Sequence, residues 1–181
     1  MNDTIAALEQ EVSDAKARLR EARRAAEPEP VEDWPLARLD GTPVRLSDLF
    51  GDHDELLVVH NMGGSCSYCS LWADGFSGLA PQFKTRCGFV LCSDDPPAVA
   101  AQIKADRAWH FRVVSGHGSG FAAAMGYRAG DGKPWPGVSA FKRGPDGSIV
   151  RTGHAPFGPG DDFCAVWPML DLLPARDWHP R

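Results

Sequence analysis

Long hydrophobic runs are missing from this chain of 181 residues, and no stretch is apolar and long enough to cross a bilayer as a helix. A positive excess is missing too. Nineteen Lys and Arg stand against 24 Asp and Glu, a formal net charge of −5, so neither nucleic acid nor an anionic membrane surface is an expected partner. Cysteine is scarce: five residues, an odd number, are too few for a secreted disulfide scaffold. The opening MNDTIAALEQEV has no basic start followed by an apolar run, so no secretory leader is expected and a cytoplasmic location is the default. The glycine-rich run Ser115-Gly116-His117-Gly118-Ser119-Gly120 lacks the GxxxxGK[ST] pattern of a phosphate loop. Without a flavin or nicotinamide motif, any reductant must come from outside. There is no Ser-His-Asp spacing, no glycosidase-like carboxylate pair, no internal repeat and no low-complexity segment.

What is present is an ordinary globular composition, 43% hydrophobic and 24% charged, long enough for one domain with a real core. Against that background stands Cys66-Ser67-Tyr68-Cys69. It follows the apolar run Leu56-Leu57-Val58-Val59 and the turn Gly63-Gly64, and it precedes a segment with helical periodicity. Two cysteines at that spacing share one face of a helix start. The first can sit among unpaired N–H groups, whose partial positive charge favours the thiolate. In a reducing compartment such a pair is more often catalytic or metal-binding than structural.

The chain divides into a helix over 1–27, a connector over 28–35 and a domain over 36–178. Ile5, Leu8, Val12, Ala15 and Leu19 form a near-heptad stripe on the first helix, flanked by charges. That stripe either covers the body or makes a homodimer seam. Glu27-Pro28-Glu29-Pro30 reads as the helix stop and a stiff linker. Strands flank Asp40-Gly41, and Ser47 is expected to cap one helical turn. Buried strands over 56–61 and 88–92 alternate with helices over 70–83 and from Pro97 to about Trp109. A short strand over 111–114 and a short helix over 120–127 follow. A hairpin around Pro145-Asp146-Gly147 and a last helix from Asp161 to about Leu173 complete the chain. The order implies an α/β fold with a mixed central sheet and flanking helices.

These residues resemble the thioredoxin-like superfamily in three places: the strand–CxxC–helix unit, the strand ending Leu91-Cys92-Ser93-Asp94-Asp95-Pro96, and Pro136-Gly137-Val138 opening the last hairpin. The second is similar to the strand-to-helix passage of peroxiredoxins. The third aligns Pro136 with the cis-proline beside a thioredoxin dithiol. The run His60-Asn61-Met62 through Gly75-Phe76, with the ending Asp171-Leu172-Leu173-Pro174 through Asp177-Trp178, more closely resembles an uncharacterised bacterial family of that superfamily. The resemblance implies a thioredoxin-like fold and thiol chemistry, acting on a protein disulfide or a peroxide. Ser65 stands where a thioredoxin has an aromatic residue, and Ser67-Tyr68 replaces Gly-Pro, so the potential does not carry over.

Three readings of the site stay open. In a thiol-disulfide oxidoreductase Cys66 attacks and Cys69 resolves. In a thiol peroxidase the peroxiredoxin Thr-x-x-Cys alignment puts Cys69 at the peroxide and Cys66 in the resolving role. Neither needs a cofactor. In a metal-binding module Cys66 and Cys69, with His60 and His154, hold copper or zinc. A non-catalytic interaction protein that keeps the fold is the remaining alternative. His60 is a base, a ligand or a structural residue; Trp72 is expected in the core; Asp74 either tunes the thiols or is a solvated helix carboxylate. Cys87 and Cys92 should point to opposite faces of a strand, and Cys164 should be a small core residue.

Overall fold

The apolar run 56–59 becomes the middle of the molecule. The computed structural model describes residues 3–174 and 178–180. The outer ends of the expected 1–27 helix, at Met1 and Asn2, and residues 175–177 of the expected 36–178 domain lie outside the described residues, Asp177 of the terminal motif among them.

Eight strands form one sheet among the described residues: β1 Glu29–Val31, β2 Pro35–Ala37, β3 Pro43–Arg45, β4 Glu55–Asn61, β5 Gly88–Ser93, β6 Arg112–Ser115, β7 Gly137–Arg143 and β8 Ile149–Pro156. Their spatial order is β1-β8-β7-β4-β5-β6-β2-β3. β4, β5 and β6 are parallel, and every other pairing is antiparallel. The parallel strands are joined by α2 Ser67–Phe83 and α3 Pro97–Asp106, as crossovers require. The remaining helices are α1 Asp3–Ala25, α4 Phe121–Ala124 and α5 Val166–Leu170. This is the expected mixed sheet with helices on it.

Strand alternation sorts the core into two layers. Leu56, Val58, Val90, Cys92 and Val114 point to one face, where Phe50, Phe121, Tyr127 and Phe141 complete a cluster. Val59, Phe89, Leu91 and Val113 point to the other, under Trp72, Phe76, Trp109 and Trp167. Cys164 is buried in the second layer, as expected of a small apolar residue.

Several local expectations change. Glu29–Val31, inside the segment read as a connector, is a strand paired with Ile149–Arg151, and Arg151 bonds Glu29 through both Nε and Nη2. Pro30 is compatible with this because β1 lies at the sheet edge, as β3 with Pro43 does at the other. The turn after β3 is a 3₁₀ segment, Leu46–Leu49, capped not by Ser47 but by Asp48, whose carboxylate accepts the Arg45 N–H. The last helix is far shorter than 161–173. Asp161 takes N–H bonds from Gly158 and Phe163, turning the chain locally, and helix begins only at Val166. No described helix is long and apolar enough to cross a membrane.

Candidate active site

The dithiol sits where the central strand hands over to α2. At the end of β4, Asn61 Oδ1 accepts the Gly63 N–H at 2.8 Å, and Asn61 Nδ2 donates to the Cys69 carbonyl at 3.4 Å. Gly63 has φ +106°, a conformation that favours glycine. A side chain on it would also meet Asp95, and one on Gly64 would meet Ile103. Asp95, just past β5, accepts the Gly64 N–H at 2.8 Å and so pins the loop from the neighbouring strand. The loop delivers Cys66 to the N-cap of α2 with extended backbone, φ −98° and ψ 103°.

There the Cys66 sulfur takes the place of a capping oxygen, accepting the Cys69 N–H at 3.2 Å. The thiol is lowered from an ordinary 9.0 to about 6. A hydrogen bond from the Cys69 thiol is the largest cause; the Cys69 and Tyr68 N–H groups add to it against partial burial. Cys69 is pushed the other way, well above the usual thiol range, because its proton is shared with Cys66 and it is buried. The Met62 N–H facing it offsets only part of this. One sulfur is thus half-buried and poised as thiolate, and the other is buried and protonated. All five cysteines are free thiols.

Cys66 opens into a cavity of about 650 Å³ walled by Met62, Tyr68, Trp72, Trp135, Pro136 and Phe157. The walls are largely apolar, while Asp131 and Lys133 supply charge to the lining. Trp72 is 2% exposed and rests on Phe157 at 5.3 Å between ring centroids, so it is core and cavity wall at once. Its indole N–H finds no acceptor among the described residues. Pro136 does line the site, but its peptide is trans, unlike the thioredoxin residue to which it was aligned. Its carbonyl is taken by the Phe157 N–H at 2.9 Å, which closes that stretch of backbone edge.

Other expected site residues are elsewhere. His60 shares the face of Val58, opposite to α2 and the thiols. It is 3% exposed, hydrogen-bonded through Nε2 to Ser139 Oγ at 3.0 Å, and stacked on Tyr127 with centroids 4.0 Å apart. Burial lowers its pKa to about 3, so the ring is neutral. His154 is the register partner of Ser139 on that same face and is exposed. The four-residue set Cys66, Cys69, His60 and His154 is therefore not assembled, because strand alternation turns both histidines away from the dithiol. Among the described residues no group of three or more His, Cys, Asp or Glu is arranged to hold a metal ion. Asp74 does not reach the thiols; it accepts Arg107 Nη1 at 2.7 Å and Trp109 Nε1 at 2.8 Å, tying α2 to the loop after α3. Cys92 is buried on the His60 face, with its thiol pushed up to about 12 by burial. Sequence reasoning missed Asn61, Met62, Asp95, Trp135 and Phe157. For Asn61 a signal existed: it is the neighbour of His60, and period two puts it on the thiol side.

No curated protein matches the chain. Among solved structures, peroxidoxin BcpB from Mycobacterium tuberculosis is 27% identical over 67% of this chain and 80% of that one, with a TM-score of 0.55. Reduced Prx3 from Vibrio vulnificus, in complex with hydrogen peroxide, is 15% identical with a TM-score of 0.60, covering 82% of this chain and 99% of that one. Peroxiredoxin Q from Xanthomonas campestris is 20% identical with a TM-score of 0.58, over 83% and 98%. The fold is that of the thioredoxin-like peroxiredoxins. Over residues 2–178 the chain matches the family described as "Bacterial protein of unknown function (DUF899)" and belongs to it.

Proposed function

We propose that this protein is a dithiol oxidoreductase of the thiol peroxidase kind, in which Cys66 attacks and Cys69 resolves. One observation carries the reading: the half-exposed sulfur at the helix cap has the lowered pKa and faces a cavity, while its partner lies buried beneath it with a raised one. The peroxiredoxin alignment assigns the opposite roles, but a buried, protonated thiol is a poor first nucleophile.

In the proposed cycle the Cys66 thiolate attacks the peroxide oxygen of ROOH. The O–O bond breaks, an S–O bond forms, and the leaving alkoxide takes a proton to give ROH. Cys69 then attacks the sulfenic sulfur. Water leaves with the Cys69 proton, and a Cys66–Cys69 disulfide remains. An external dithiol returns two electrons and two protons. A substrate disulfide enters the same cycle, with a mixed disulfide on Cys66 replacing the sulfenic acid. The apolar cavity favours substrates whose reactive group is carried on an apolar body.

The test is peroxide and disulfide consumption by single variants, with a dithiol reductant supplied. Cys66→Ser should abolish turnover. Cys69→Ser should keep one stoichiometric round and stall as a sulfenic acid or mixed disulfide on Cys66. The reverse pattern would restore the peroxiredoxin assignment, and activity undiminished in Cys66→Ser would end the proposal.

A further inference from the structure

The helix α1 is 23 residues long and has no buried residue. Its stripe is turned to solvent: Ile5, Leu8, Val12 and Leu19 are 46–55% exposed. The body touches it from the side. Lys16 reaches Asp162 at 2.6 Å, and a groove of about 550 Å³, lined also by Leu19 at the end of the stripe, separates the Ser13-to-Arg23 flank from the chain around Pro156 and Phe163. A solitary helix with an uncovered apolar stripe is marginal, so something is expected to cover it.

The charges beside the stripe say what fits. Glu9 and Lys16 line one flank, and Glu11 and Arg18 line the other. Sign therefore changes along the helix, acidic towards the start and basic towards the end. Among the described residues Glu9, Glu11 and Arg18 have no ion pair. We propose that α1 pairs antiparallel with α1 of a second copy of this chain.

In that arrangement Leu8 meets Leu19 of the second copy, Val12 meets Ala15 and Ile5 meets Ala22, so two leucine layers flank a narrow centre of valine on alanine. Glu11 faces Arg18, and Glu9 faces Lys16, each pair occurring twice by the two-fold symmetry. A parallel pair is poorer: Glu11 still faces Lys16, but Arg18 faces Arg23, and Glu9 faces Thr4. Lys16, half-exposed, serves both Asp162 and the incoming Glu9. Arg20 and Arg23 of α1 line the groove together with Asp161 and Asp162 of the body.

The test is sedimentation equilibrium of the full chain from low micromolar to sub-millimolar concentration, with helix content checked by circular dichroism. The expected result is a dimer that dissociates on dilution. Arg18→Glu should raise its dissociation constant about tenfold, because Glu11 then faces another carboxylate in both symmetry-related contacts. Adding Glu11→Arg should restore it. A monomer at every concentration overturns the proposal. A tighter Arg18→Glu dimer overturns the antiparallel orientation, since only a parallel pair would gain a contact with Arg23. A dimer indifferent to both changes would be held by another surface, which also overturns it.

Discussion

Removing the Cys69 thiol should make Cys66 less acidic and less reactive below neutral pH, although Cys69 never touches the reagent. At pH 7 a thiol titrating near 6 is about nine-tenths thiolate, against about one-hundredth for one at 9.0. The less basic thiolate is also a weaker nucleophile, by a factor of about 20 across that span at a Brønsted slope of roughly 0.45. The two effects leave Cys66 about fourfold faster than an ordinary thiol at pH 7 and about 20-fold faster at pH 6. The largest cause is the hydrogen bond from Cys69. Cys69→Ala deletes it but leaves the Tyr68 and residue-69 N–H groups, so the midpoint should move part of the way back to 9.0. Cys69→Ser keeps a hydroxyl donor and should stay nearer the parent. The assay is the pH dependence of iodoacetamide alkylation, read at Cys66 by peptide mass and checked by thiolate absorbance. At pH 6 the Cys69→Ala rate should fall at least about threefold. A parent midpoint above about 8, or a Cys69→Ala protein as reactive as the parent, would refute the reasoning.

Three further outcomes follow from the same geometry. His60 is neutral when folded down to about pH 3 but takes a proton near 6.5 when unfolded, so stability should be lost as pH falls through this window. The loss is about 2 kcal/mol by about pH 5. His60→Gln, which keeps a partner for Ser139 but does not titrate, should flatten that dependence in urea titrations, and an unchanged slope would show that His60 is not its source. Asp74→Ala removes the bonds from Arg107 and Trp109 and should cost about 1 kcal/mol; Cys66 alkylation should stay within about twofold, and a larger change would return Asp74 to the thiol site. Trp135→Ala shaves a cavity wall and should raise KM for a bulky aromatic hydroperoxide several-fold while leaving hydrogen peroxide turnover unchanged; equal effects on both would mean that the cavity does not hold the substrate.

The central strands were legible because a buried parallel strand is written as a continuous apolar run, and 56–61 and 88–92 fall within one residue of β4 and β5. The dithiol was legible because CxxC after such a run has few other uses. What failed depended on direction. His60 lies six positions before Cys66 in sequence, yet a strand sends alternate residues to opposite faces, and nearness along the chain put the wrong neighbour in the site. The roles of the two cysteines were undetermined because they depend on burial and on who donates to whom. β1 was read as linker because its pairing with β8 spans more than a hundred residues, and no local pattern announces such a partner. Trp135, just before β7, and Phe157, just after β8, meet at the open end of the β7–β8 hairpin, a closure that only the register of that hairpin produces.

The two outermost strands have a consequence for how this molecule meets others. β1 and β3 are each three residues long, and each carries a proline and a charged residue. A proline offers no N–H, and a charge repels a flat neighbour, so neither of these two strands is a template for an added one. At β1 and β3, contact with a protein partner therefore falls to side chains rather than to the backbone ladder.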